Sequence, residues 1–302
     1  MKRILLTGAS GFVGEHILKV LLALNMEVVA VSRRKPATEG RYQWIKADLL
    51  NQPPPNMTRN QHISHVLHAA WCVEHGKFWT DRSNALWRDS TIAFANSAIQ
   101  DGVRRFVSIG TCYEYDWPAD DDCDEQLTPT KHHTLYDQAK DETRQALEKI
   151  ATGSGLSFSW ARLFFPFGKG ESAARLVPNI CKAISANLPA RCSSGSAVRD
   201  FIAVEDAARL LAELMFSDHM GCVNIASGHA TSVADVALAI GRISGRPDLI
   251  HLGALPDRED DPPRITAKIG GIGAMPSFSS MSGLEQRLAE TYDYWKDQTG
   301  AS

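Results

Sequence analysis

Tyr136 and Lys140 stand four residues apart in the segment Tyr136-Asp-Gln-Ala-Lys140. On a helix that spacing turns both side chains the same way. An ammonium close to a phenol favours the phenolate, drawing a reference value near 10 toward the working range of a proton donor or acceptor. An ordinary exposed tyrosine/lysine pair is the plain alternative on spacing alone. Thr111, in Ser108-Ile-Gly-Thr111-Cys-Tyr113-Glu-Tyr115, tips the balance. Its hydroxyl emerges at the carboxyl end of an apolar run and can donate to the same substrate oxygen that Tyr136 would protonate. Together these residues read as a proton-transfer site for a carbonyl or alcohol.

A second chemical signature opens the chain. Arg3-Ile-Leu-Leu-Thr7 is a short apolar strand that runs into a turn carrying Gly8, Gly11 and Gly14, and Glu15 to Leu24 has apolar residues at helical spacing. Gly8 suits the tight turn, Gly11 lets backbone approach a pyrophosphate, and Gly14 lets the helix pack on the strand. The phosphates of a dinucleotide would then sit at the positive end of the helix dipole, along Ser10, Phe12 and Val13.

The elements that must position these groups alternate. Val28–Val31, Tyr42–Ala47, Val66–Ala70, Arg105–Ile109 and Leu156–Leu163 read as buried strands, with helices over 81–100 and 133–152. Asn51 to Asn60, with three consecutive prolines, reads as a loop. Strands and helices at this spacing predict a doubly wound, mostly parallel α/β sheet of Rossmann type over residues 1–168. After Pro166 the texture changes. Helices over 173–186, 204–216, 233–244 and 282–295, with a strand over 200–204, predict a smaller C-terminal α/β lobe over 169–302 that binds substrate at the sheet's carboxyl edge, with the chain free to cross between the two.

With these motifs in hand, the chain resembles the extended short-chain dehydrogenase/reductase family, the NAD(P)-dependent nucleotide-sugar epimerases, dehydratases and reductases. The matching features are Thr7-Gly8-x-x-Gly11-x-x-Gly14, Asp48-Leu49, His68-Ala69-Ala70, Thr111 four before Tyr115, and Tyr136-x-x-x-Lys140. Arg162-Leu-Phe-Phe-Pro166-Phe-Gly168 and Arg199-Asp200-Phe201-Ile202 match as well. The resemblance implies Tyr136 as acid/base, Lys140 as ribose ligand and activator of the tyrosine, and Thr111 as partner of the substrate hydroxyl. It further implies Asp48 at the adenine, with Leu49, Ala69, Ala70 and Ser108 along the cofactor. Arg199 would bind the substrate's diphosphate, and Arg258 and Asp261 would line the nucleotide site. A salt bridge from Arg199 to Asp200 or Glu205 is the structural alternative. Dimerisation through the helices over 81–100 and 133–152 is implied too.

Three positions depart from the family's pattern. Asp137 replaces the glycine often found after the active tyrosine, Trp87 replaces an asparagine in the long helix, and Phe165 replaces an asparagine that touches the substrate's diphosphate. Cys112-Tyr113 stands where dehydratases carry Asp-Glu, so elimination of water is poorly supported; Cys112 reads as a packed small residue. The cofactor follows from physical reasoning. An acidic residue at the end of the second strand would hold the free ribose hydroxyls of NAD. Here Ser32 is followed by Arg33 and Arg34, so nothing repels a 2′-phosphate and two guanidiniums can pair with one. NADP(H) is therefore expected, with NAD as the alternative.

The expected reaction is NADPH-dependent reduction of a nucleotide-linked keto sugar, a 4-keto-6-deoxy sugar in particular. A 4-epimerase that retains its cofactor is the runner-up. A reductase of a non-sugar carbonyl, with Trp71, Trp79, Phe164, Phe165 and Phe167 lining its pocket, and a non-catalytic dinucleotide sensor are further alternatives. In a chain of 302 residues the net charge of −3 gives no field for nucleic acid, and no apolar run is long enough for a membrane span. Ile4 to Leu6 is too short for a signal-peptide core. Six scattered cysteines suit a reducing cytoplasm and argue against a metal or disulfide framework; the acidic run Asp120–Asp122 and the pair His132-His133 read as non-metal features.

Overall fold

The apolar run Arg3–Thr7 lies at the centre of the molecule as strand β1, buried on both faces as parallel strands require. The computed structural model describes residues 2–51 and 56–300. From β1 the chain passes through α1 (Phe12–Ala23), β2 (Glu27–Ser32), β3 (Gln43–Lys46), a short α2 (Met57–Asn60) and β4 (His65–His68). It continues through α3 (Ser83–Gln100), β5 (Arg105–Thr111), α4 (Leu135–Ser154) and β6 (Ser157–Leu163). The segment expected as a loop over 51–60 thus holds one helical turn, and its three prolines lie outside the described residues.

The second half supplies β7 (Phe165–Phe167), α5 (Leu176–Ser185), β8 (Ala190–Arg191), β9 (Val198–Ala203), α6 (Val204–Phe216) and β10 (Gly221–Ile225). It ends with β11 (Ala230–Ser232), α7 (Val233–Ile243), β12 (Ile250–His251), β13 (Arg264–Ile265), α8 (Pro276–Ser279) and α9 (Leu284–Gly300). The main sheet is seven-stranded and parallel, in the order β10-β6-β5-β4-β1-β2-β3. Its strand order reverses beside β1, and such a switch opens a crevice at the strands' carboxyl ends. Ile4, Leu6 and Val28 pack with Ile17, Leu21 and the apolar face of α6 on one side; Leu5, Val29 and Phe106 pack with Trp87, Ala95 and Leu147 on the other.

β10 was not expected in this sheet, and the helix expected over 204–216, α6, packs against it. Arg105 explains how they are seated. Its buried guanidinium donates to the carbonyls of Leu214 and His219 and to the hydroxyls of Ser157 and Ser159. Residues 204–225 are thereby fastened to the edge of β6, and the chain crosses from the second half back to the first. A smaller sheet, β11-β9-β13 with β7 against β9, faces the crevice, backed by a second core of Val177, Ile180, Phe201, Ile240, Leu288 and Trp295.

Glycine is required at the start of α1. Gly8 adopts φ +67°, and a Cβ on Gly14 would lie 2.1 Å from the Gly8 carbonyl oxygen. Gly14→Ala is therefore expected to cost roughly 2 kcal/mol of stability, as overpacking against backbone does. Urea denaturation checks this, and an unchanged midpoint would contradict the close approach.

Candidate active site

A cavity of about 830 Å³ runs from the glycine turn to the smaller sheet. Its wall includes Gly8, Gly11, Phe12, Val13, Gly14 and Ala69, and also Arg175, Arg191, Arg199, Arg258 and Asp261. Thr111, Tyr136, Lys140 and Phe165 line it too. The first N–H groups of α1 have no intrahelical partners, and no side chain caps them from Gly11, so they suit the oxygens of a pyrophosphate.

The sequence expectation brought Thr111, Tyr136 and Lys140 together, and the structure does so. Tyr136 and Lys140 are buried on the first turns of α4, whose N-terminus is fixed by a capping box between Thr134 and Asp137. Asp137, which replaces the family's glycine after the tyrosine, is fully buried and makes this cap, so it seats the helix that carries both residues. Tyr136 N–H donates to the Trp79 carbonyl at 3.2 Å, tying α4 to the segment after β4. Thr111 ends β5 with its backbone extended; its hydroxyl oxygen accepts from Tyr113 N–H at 3.3 Å.

The electrostatics differ from the expectation for Tyr136. Burial pushes the phenol above its ordinary value, and a hydrogen bond with the Thr111 side chain draws it part of the way back. The expected downward pull from Lys140 does not dominate, because the amine is directed elsewhere. Its Nζ donates to the Ile109 carbonyl at 2.7 Å and sits 3.9 Å above the Trp71 ring, while the centre of the Tyr136 ring is 5.9 Å away. Burial lowers Lys140 to about 7, and the negative charge of Glu114 opposes that fall.

Around Tyr136 the wall is aromatic. Phe78, Trp79 and Trp71 meet its ring edge-on with centroids at 4.8, 5.8 and 6.4 Å. Tyr113 packs on Trp79 at 4.6 Å and against Phe165 at 6.0 Å. All five aromatic residues singled out from sequence line the cavity, although Phe164 and Phe167 are also core residues. Buried Asn84 fixes the segment that carries Trp71 and Phe78: it accepts from Trp71 Nε1 at 2.9 Å and donates to the Phe78 carbonyl at 2.7 Å. Trp87, in the family's asparagine position, stacks on Trp71.

Other expected residues are placed differently. Arg199 bonds neither Asp200 nor Glu205. It pairs with Asp261 at 2.7 Å and lies over the Phe165 ring, while Asp200 is buried and accepts from Ser227 and Gly228 N–H. Asp48 directs its carboxylate to Leu50 N–H and Asn51, so it shapes its own turn. The Ser32 hydroxyl donates to the Arg34 carbonyl and accepts from Trp44 Nε1, bending the chain so that Arg33 and Arg34 stand exposed. Ser108 is buried beneath the site, and His68 bridges Thr7 and Thr91, held neutral by burial. Asp122 pairs with Arg264, His132 with Asp141, and His133 stacks on Trp117. Among the described residues no group of three or more His, Cys, Asp or Glu could hold a metal, and no helix is long and apolar enough to cross a membrane.

Sequence reasoning missed Glu114, Glu171 and Arg175. Glu171 and Arg175 line the cavity. Burial raises Glu171 to about 7, with only a 3.4 Å bond from Gly168 N–H and Arg175 at 3.9 Å to oppose it.

The model of the NAD dependent epimerase/dehydratase family matches residues 4–226. The chain is 25% identical over 311 residues to UDP-glucuronic acid decarboxylase 1 of Danio rerio, covering 97% of this chain and 72% of that protein. It is 24% identical over 275 residues to dTDP-4-dehydro-6-deoxy-D-allose reductase of Streptomyces bikiniensis, covering 83% and 84%. Among solved structures it superposes on MoeE5 in complex with UDP-glucuronic acid and NAD with a TM-score of 0.85 at 26% identity, covering 98% and 99% of the two chains.

Glu171 generates a pH prediction. Its folded value lies above that of the unfolded chain, so between about pH 4.5 and 7 the native state holds a proton that the unfolded state has released. Stability from this group is present at low pH and is lost as pH rises through that window. Glu171→Gln is expected to stabilise the protein by about 3 kcal/mol above pH 7 and by much less at pH 5. Thermal unfolding of both proteins from pH 5 to 8 checks it; a gap in Tm that does not change with pH would contradict it.

Proposed function

The chain belongs to the NAD dependent epimerase/dehydratase family, and within that family we propose a reductase that uses NADPH to reduce the carbonyl of a nucleotide-linked 4-keto-6-deoxy sugar. The observation that carries this reading is the meeting of Thr111, Tyr136 and Lys140 in one cavity that a glycine turn and several arginines also line.

The glycine turn and the N-terminus of α1 hold the cofactor's pyrophosphate, and Lys140 its ribose. Arg33 and Arg34 pair with the 2′-phosphate, and Ser32 keeps the end of β2 free of a repelling carboxylate. Of the other residues expected along the dinucleotide, Ala69 lines the cavity, whereas Ser10, Asp48, Leu49, Ala70 and Ser108 lie outside its wall. NADPH, when bound, supplies the hydride. Tyr136 gives its phenolic proton to the developing alkoxide; a phenol raised by burial stays protonated through the neutral range, as an acid must. Thr111 donates a hydrogen bond to the same oxygen, and Lys140, in its protonated form, offsets the charge left on the phenol.

Arg199, Arg258 and Arg175 form the diphosphate end. The rings of Phe78, Trp79, Tyr113 and Phe165 give the wall a large apolar area, which suits the methyl group of a deoxy sugar. Cys112 is buried with its thiol held well above the usual value, so it does not replace an acid for water elimination. Two copies pairing through α3 and α4, where Leu86 and Leu135 are exposed, complete the proposal as a homodimer.

Tyr136→Phe is expected to lower turnover by about 10³-fold while NADPH affinity changes by less than about twofold. Reduction of a panel of nucleotide-linked keto sugars, followed at the NADPH absorbance, measures this. Unchanged turnover would remove the assigned proton donor, and stoichiometric NAD carried through dialysis would turn the assignment to the epimerase. Arg33→Ala is expected to raise the KM for NADPH by about tenfold and to leave that for NADH unchanged, in line with loss of one charged hydrogen bond. Equal effects on the two cofactors would contradict the 2′-phosphate contact.

A further inference from the structure

Glu114 is fully buried and lies outside the cavity wall, yet it touches the residues on which the proposed reaction rests. Its carboxylate accepts Thr111 N–H at 2.9 Å, Arg162 Nε at 2.9 Å and Trp160 Nε1 at 2.9 and 3.0 Å to its two oxygens. Arg162 and Trp160 both lie on β6, which runs beside β5 with Gly110 opposite Arg162. The fit is close. A Cβ on Gly110 would lie 2.2 Å from Trp160 Nε1 and 2.8 Å from Glu114 Oε1. Gly110 stands between Ile109, whose carbonyl receives Lys140, and Thr111.

We propose that Glu114 is a positioning residue: with Arg162 as counter-ion it clamps the end of β5, fixing the Thr111 hydroxyl and the Ile109 carbonyl that the reaction uses. This rests on the reading above that Thr111 and Tyr136 act on a carbonyl. The clamp and the turn that follows form one device. Glu114 takes the Thr111 N–H, and the Thr111 hydroxyl oxygen takes the Tyr113 N–H. With a lone pair occupied on the Tyr113 side, the hydroxyl proton is left to point toward Tyr136. Loss of the carboxylate frees the backbone at Thr111 and returns the side chain to rotation among its staggered wells.

The groups that face Glu114 are Arg162 from β6, Tyr136 and Lys140 from α4, Cys112 from its own turn and Cys222 from β10. The buried carboxyl is pushed upward by desolvation and drawn back by Arg162, whose own value rises beside it; with three donors supplied, the pair is ionic. Its negative charge supports the protonated forms of both Lys140 and Tyr136.

The test uses the full chain carrying Glu114→Gln, the paired Glu114→Gln/Arg162→Met change that leaves no buried charge unmatched, Thr111→Ala and Tyr136→Phe. Keto-sugar reduction, NADPH affinity by fluorescence and amide exchange over residues 106–116 are measured on each folded protein. Both Glu114 variants are expected to lower kcat by about 10- to 100-fold through misplacement of the hydroxyl, with KM and cofactor affinity within about threefold. Their alkaline limb of kcat moves to lower pH, and exchange in 106–116 quickens. Wild-type kcat, pH profile and exchange in the paired variant, with Thr111→Ala and Tyr136→Phe inactive, would overturn this role alone. Full activity in Thr111→Ala and Tyr136→Phe would instead overturn the reading on which it rests.

Discussion

A buried amine must be given acceptors, and the constraint set by Lys140 organises the centre of this protein. The residue is 4% exposed, and its ammonium is met by the Ile109 carbonyl, the face of Trp71 and, at longer range, the charge of Glu114. These partners come from β5, from the segment after β4 and from the turn beneath Thr111. To satisfy one charge the fold must bring three stretches of chain against α4, and those stretches carry Thr111, the aromatic wall and the floor of the cavity. The cost of desolvation is visible in the lowered value of the amine, which is therefore poised near neutrality instead of locked in the charged state.

The same reasoning separates what the amino-acid sequence reveals from what it conceals. The strand, glycine turn and helix at the N-terminus were legible because each glycine answers a local steric demand, as Gly14 against the Gly8 carbonyl shows. Tyr136 and Lys140 were legible because helical spacing is local too. The direction of the phenol's shift was not, since burial depends on Phe78, Trp79 and Trp71 arriving from elsewhere. Glu114 was passed over as one letter among aromatics; its meaning appears only when the register of β5 and β6 sets Gly110 opposite Arg162. Arg199 found its partner 62 residues away, at Asp261, beyond the reach of any neighbour rule.

Several buried polar side chains take their partners from distant segments, although the Nε atoms of Arg105, Arg209 and Arg264 and the indole N–H groups of Trp87 and Trp295 are buried without one. Asp200 takes the N–H groups of Ser227 and Gly228, Asn84 pins the aromatic segment, and Arg105 gathers the carbonyls of Leu214 and His219. Each joins pieces distant in the chain, and each would be costly to leave half satisfied. The cavity itself is built differently. Rings line it beside the hydroxyls of Thr111 and Tyr136 and the amine of Lys140, and Arg175, Arg191, Arg199 and Arg258 add guanidiniums to the same wall.

The return of residues 204–225 to the edge of β6 has a consequence for biosynthesis. A nascent chain released only as far as residue 168 holds the glycine turn, Thr111, Tyr136 and Lys140, yet β6 is left as a naked border with Arg105 lacking the carbonyls it binds. The main sheet is complete only once residues 221–225 are available to pair with β6. Until then the growing polypeptide carries an open sheet margin of the kind chaperones guard.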